Sequence, residues 1–314
     1  MHKLEKLFVC IGAQKAGTTW LYTVLSKDKR FSICPFVKEI HYLTFLYRKS
    51  RHLNNWRSHY FLKLCQGREN DLRALLSAWL SGSRKNLAKQ CPNVKRPAVF
   101  SRRFSLLMNE INDTWYYDLL SLKKGQLCAM DITPDYAVIG VDGFAHLANL
   151  ANKVYVLYIL RNPVHRAWSG LLQGKKKAPG GIDKFISTYG NDVDYLFKQC
   201  TQKLDIQLRN DYLTTLENIN SAGIKDRVLV RFFDEISDNP TTLINDIYSF
   251  IEMEAPPISL FKDALQTKVY ETKKIVMPSE LELRLKDHYR EMIHTIHTRH
   301  TPVPDSWLTY FEIQ

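Results

Sequence analysis

No stretch of this sequence approaches the roughly 20 consecutive apolar residues that span a bilayer, so stable membrane insertion is not expected. Its six cysteines (Cys10, Cys34, Cys65, Cys91, Cys128 and Cys200) are scattered and form no CxxC pair. They read as reduced thiols of a cytoplasmic protein, not as a disulfide framework. The opening MHKLEKLFVCIG has only about six apolar residues before Gly12 and lacks the h-region of a signal peptide. Internal repeats and linker-like composition are also missing, so residues 1–314 are expected to form a single domain. Acidic residues are in the minority, 32 against 44 Lys and Arg, and the formal charge is +12. Such a balance suits a nucleic-acid binder, an anionic-membrane binder, an enzyme with polyanionic substrates, or simply a solvated basic surface. The basic clusters, Arg84–Arg103 and Lys175–Lys177, lack the interleaved aromatic platform of a single-strand binder, and no nucleic-acid partner is expected.

What is present is ample core material, with 45% hydrophobic and 12% aromatic residues. In the stretch FVCIGAQKAGTTWLYTVL (Phe8–Leu25), an apolar β-prone run stops at Gly12, and a helix then opens at Gly17, Thr18 and Thr19. A strand, a Gly-bounded loop and a helix N-terminus together form an anion cradle. Further strands are expected at Phe31–Cys34, Gln126–Ile132, Lys153–Leu160 and Arg227–Phe233. Helices are expected at Asp142–Ala151, from Pro163, across most of Ile182–Ser221, at Thr241–Glu252 and, terminally, at Leu281–Ile296. Strands alternating with helices give an α/β fold with a central, mostly parallel sheet flanked by helices. Residues 44–124 read as a helical insertion rich in Trp, Tyr, Leu and Arg, expected to serve ligand recognition. The sheet type puts ligands at the carboxyl ends of its strands, where the loops at Gly12, Thr133 and Arg161 emerge.

Gly12 and Gly17 have the spacing of a Walker A loop, yet Thr18 stands where that motif requires lysine, and the lysine is Lys15 inside the loop. No Walker B aspartate follows an apolar strand, since Leu160 is followed by Arg161. A P-loop kinase is therefore the second reading, and a non-catalytic basic nucleic-acid module the third.

The arrangement GAQKAGTTWLY (Gly12–Tyr22) resembles the 5′-phosphosulfate loop of sulfotransferases that use 3′-phosphoadenosine 5′-phosphosulfate (PAPS). RNPVHRAWS (Arg161–Ser169) is similar to the 3′-phosphate motif of that family, KEIHY (Lys38–Tyr42) to its KExHFF-type segment, and ITPDYA (Ile132–Ala137) to a segment lining the acceptor cleft. The resemblance implies a P-loop-like sulfotransferase fold with Gln14, Lys15, Ala16, Gly17, Thr18, Thr19, Trp20, Arg161 and Ser169 on the nucleotide. It extends weakly to Lys273 and Lys274 as a segment closing over it, where a solvated turn is the alternative. It further implies Asp131, Thr133, Pro134 and Tyr136 near the acceptor, and Lys15, Glu39 and His41 as catalytic residues.

That set fits transfer of a sulfuryl group to a hydroxyl, less readily an amine, of a small-molecule, natural-product or carbohydrate acceptor, with release of adenosine 3′,5′-bisphosphate. Glu39 would be the general base and Lys15 would stabilise the leaving group; no metal is required. Alternatives stay open at several positions. Glu39 could cap a helix or pair with Lys38, and His41 could be packed or orient the glutamate. Asp131 could be a second acidic group near the acceptor or a structural carboxylate. Lys175–Lys177 could form a lid or a solvated run, and His294, His297 and His300 rotate around a helix instead of converging on a metal.

Overall fold

The computed structural model describes residues 3–66, 73, 76–77, 97–176, 178–266 and 275–314. Five strands, β1 (Leu4–Gly12), β2 (Phe31–Ile33), β3 (Cys128–Ile132), β4 (Ala151–Leu160) and β5 (Val228–Phe232), form one sheet in the order β2-β3-β1-β4-β5. All neighbouring pairs are parallel. The centre of the sheet is dictated by β1, whose residues Leu7–Ile11 are completely buried. A parallel strand covered on both faces has to be an uninterrupted apolar run, and each such side chain contributes about 1.5–3 kcal/mol of burial. Neighbouring side chains of β4 show the two covers. Tyr155 meets Phe250 of the helix Pro240–Phe250, and Tyr158 meets Tyr212 of the helix Tyr212–Ser221. Residues three apart on a strand point to opposite faces, so helices pack on both sides.

Chain order reverses about β1, which pairs with β3 on one side and β4 on the other. The crevice at its carboxyl end is thus a topological switch point. Several expected boundaries shift by a few residues, most at Ala151: the helix ends at Leu147, and Ala151 opens β4 because it pairs with Leu4 of β1. A short helix, Asp305–Phe311, follows Ser279–Arg299 and was not expected; its Trp307 is buried against Phe232 and donates to Asp234 at 3.2 Å.

The insertion contributes the helices His52–Cys65, Pro97–Met108 and Asp113–Leu120, with Tyr42–Arg48 leading into it. It is tied to the sheet through aromatics. Trp56 donates its indole N–H to the carbonyl of Ile40 at 3.0 Å and stacks on Trp115. Cys10, Cys34, Cys128 and Cys200 are free and buried, and burial pushes each thiol up to about 12. No helix among the described residues is long and apolar enough to cross a membrane.

Candidate active site

The loop after β1 is shaped by two left-handed residues, Lys15 (φ 70°) and Gly17 (φ 78°). Gly17 is the N-cap of the helix Thr18–Leu25 and brings no side chain to its first-turn amides. Those N–H groups have no partner within the helix and, with the dipole, favour an anion. A Cβ on Gly17 would come within 2.2 Å of Ile236 Cδ1 while keeping a positive φ. The isoleucine can swing aside, but the backbone strain stays. Gly17→Ala is expected to cost about 1–2 kcal/mol, read by thermal unfolding, and to weaken anion binding at the loop.

Cations gather around this loop. Arg161, at the end of β4, donates from Nη1 to the Lys15 carbonyl at 2.8 Å and lies over the Phe233 ring. Burial, then the charges of Arg161, Lys176 and Arg166, lower the pKa of Lys15. Burial likewise lowers that of Arg161, with Arg166 adding to the effect against Tyr212 and Asp234. Mutual repulsion of this kind is relieved by a bound polyanion. Ser169 lies on the second turn of the helix Pro163–Lys175 that follows Arg161, half-buried. Between them in sequence, Arg166 is fully buried, bonded to Asn210 and to the Ile206 carbonyl. Ala16, Thr18 and Trp20 are buried, Gln14 and Thr19 half-buried. Lys273 and Lys274 lie outside the described residues, as does Lys177.

Across the loop runs Lys38–Tyr42. Lys38 Nζ donates to the hydroxyls of Thr18 and Thr19, each at 3.2 Å, and to Glu39 Oε1 at 3.0 Å. It joins the two motifs and was missed as a site residue in the sequence, although it stands first in KEIHY. Glu39 Oε2 is 3.5 Å from His41 Nε2, and His41 Nδ1 is 3.6 Å from Asp135 Oδ2. Burial raises the pKa of Glu39, but the hydrogen bond from His41 and the charge of Lys38 outweigh it and hold the carboxyl down at about 2. His41 has φ 63°, a conformation uncommon for a non-glycine residue. Arg209 grips Asp135 with two contacts, Nε at 3.0 Å and Nη2 at 2.9 Å. Neither Asp135 as the neighbour of His41 nor Arg209 was expected.

The backbone on both sides of His41 is fixed from below. Thr133 Oγ1 accepts from the Ile40 amide at 3.0 Å and donates to Asp131 at 2.6 Å. Tyr136 OH accepts from the Tyr42 amide at 3.0 Å and donates to Asp131 at 2.8 Å. Tyr116 OH gives Asp131 a third bond at 3.0 Å. Asp131 is 1% exposed and Thr133 and Tyr136 are sealed. These residues and Pro134 are therefore closed off from solvent, and Asp131, Thr133 and Tyr136 form a buried support for the segment bearing Glu39 and His41. The physical reason is that β3 pairs with β1 along its length, with Asp131 opposite Val9 in the interior. Burial raises the Asp131 pKa against the three hydroxyl bonds. Among the described residues no group of three or more His, Cys, Asp or Glu side chains could hold a metal ion.

No protein-family model matches the sequence, and no curated protein does. Among solved structures, a sulfotransferase from Alicyclobacillus acidocaldarius is similar over 96% of this chain and 98% of its own, with a TM-score of 0.56 at 14% identity. The sulfotransferase domain from the Synechococcus PCC 7002 olefin synthase aligns over 100% of this chain and 90% of its own at 15% identity, with a TM-score of 0.46. The first likeness shows that this α/β chain has a sulfotransferase-like fold.

Proposed function

We propose that the protein is a sulfotransferase that uses PAPS and transfers its sulfuryl group to an acceptor hydroxyl. The observation that carries this reading is the meeting, at the carboxyl end of β1, of an uncapped helix N-terminus, the cations Lys15 and Arg161, and the Lys38–Glu39 pair on the loop hydroxyls. The half-buried, mutually repelling cations fit a nucleotide that carries phosphate at both ends of its ribose. Amides of Gly17, Thr18 and Thr19 would hold the 5′-phosphate, and Arg161 with Ser169 the 3′-phosphate. When bound, the donor supplies the activated sulfuryl group. Lys15 stabilises charge arising on the leaving side, Glu39 takes the acceptor proton, and His41 orients Glu39.

Titration with adenosine 3′,5′-bisphosphate and with ATP tests the reading. Tighter binding of the bisphosphate is the expected result; preference for ATP would point to a kinase instead. Arg161→Ala is expected to weaken the bisphosphate about 10- to 100-fold by calorimetry, the loss of one or two charge-assisted hydrogen bonds. Unchanged affinity would remove Arg161 from the 3′-phosphate site.

A further inference from the structure

Beside His41 the surface opens into a cleft of about 160 Å³. Three of its lining residues touch His41 directly: Thr44 at 3.3 Å, Asp135 at 3.6 Å and His52, whose ring stacks on it at 4.7 Å. The cleft therefore lies on the Asp135 side of His41, against residues that pack on the ring, while Glu39 stands at its other nitrogen. Seven of the nine lining residues carry a charge, a hydroxyl or an imidazole, and only Val138 and Leu208 are apolar. Ligand pockets are ordinarily lined mostly by apolar and aromatic side chains, so this lining is unusual. Two guanidinium groups, Arg48 and Arg209, stand against two carboxylates, Asp135 and Asp205. Their charges cancel. Arg209 bridges both carboxylates, and each keeps acceptor capacity beyond that contact.

From this lining, and resting on the sulfotransferase reading above, we infer that the acceptor enters as a neutral, polyhydroxylated ring, such as a sugar residue of a glycoside. Each hydroxyl of such a ring offers one donor and two acceptors, which the carboxylates and guanidinium groups answer in kind. The volume suits one six-membered ring with its substituents, and the exposed His52 imidazole provides a flat surface for its C–H face. A phenol or fused-ring alcohol would leave Asp135 and Asp205 facing carbon. A site built to hydrogen-bond a hydroxyl discriminates strongly against ligands that lack one. An anionic acceptor gains no net attraction from a cleft whose charges balance.

Two separate measurements test this. Calorimetry with adenosine 3′,5′-bisphosphate decides the donor reading alone. Saturation-transfer NMR on the full chain, with and without the bisphosphate, then presents methyl glycosides of glucose, galactose and mannose, with 2-naphthol and a methyl glucuronide as contrasts. At least one neutral glycoside is expected to receive saturation and to bind more tightly than either contrast. Asp205→Ala, whose side chain is 61% exposed, is expected to leave the melting temperature and bisphosphate affinity unchanged while weakening that glycoside about tenfold or more. Absence of contact for all three neutral glycosides, preference for 2-naphthol or the glucuronide, or an unaltered affinity in Asp205→Ala would each overturn the inference. Normal bisphosphate binding would then leave the donor reading standing.

Discussion

Lys15→Ala is expected to lower turnover about 10²- to 10³-fold, the loss that follows removal of one preorganised group from a position where transition-state charge develops. The substitution is clean in backbone terms. Arg161 bonds the carbonyl of residue 15, which alanine keeps, and both residues bear the same positive φ. What disappears is an ammonium whose proton affinity is depressed by burial and then by Arg161, Lys176 and Arg166. A bound polyanion relieves that depression, so the lysine pKa is higher in the complex than in the free protein. Binding then takes up a proton, and affinity for adenosine 3′,5′-bisphosphate falls as pH rises from the free toward the bound pKa. Calorimetry across alkaline pH should show this slope in the natural protein and a flatter one in Lys15→Ala. Full turnover in the variant would show that the leaving group is stabilised elsewhere, with Lys38 the nearest alternative on the loop hydroxyls.

How much of this could be read from the sequence depends on how local each signal is. The sheet was legible because buried parallel strands are apolar without interruption, as in Leu7–Ile11 and Val154–Leu160. The strand-to-helix junction was legible because the apolar run ends at Gly12 and a second glycine, Gly17, opens the helix. Pairings made across the fold were not. Lys38 reaches Thr18 and Thr19 from twenty and nineteen residues away, and Arg209 reaches Asp135 from seventy-four. Nothing in either segment's periodicity announces a partner in another. Asp131 shows the opposite difficulty: a carboxylate next to a strand end looks like a ligand, and only the hydroxyls of Thr133, Tyr136 and Tyr116 reveal it as a buried anchor. The helix Asp305–Phe311 was too short for periodicity, although Pro304, Asp305 and the pair Trp307 and Phe311, four residues apart, mark it in retrospect.

Glu39→Gln is expected to reduce turnover about 10²- to 10⁴-fold while leaving bisphosphate affinity nearly intact, the signature of general-base loss with shape retained. Its pH dependence is the sharper test. With the carboxyl held at about 2, Glu39 is ionised throughout the range in which the protein is assayed. The natural protein should therefore show no acid limb from this group between about pH 4 and 8. Burial alone would raise that pKa; the His41 hydrogen bond and the Lys38 charge lower it. Lys38→Met removes one of these opposing influences, so the pKa rises and an acid limb moves up into the measurable range. The same depressed pKa contributes folding stability above the ordinary value of 4.5, and this is lost as pH falls toward 2. Lys38→Met should therefore also lessen the fall of thermal stability with acidification. An acid limb in the natural protein that persists unchanged in both Glu39→Gln and Lys38→Met would transfer the proton-accepting role to His41. That residue has its second ring nitrogen 3.6 Å from Asp135, so it keeps a carboxylate partner after Glu39 is gone.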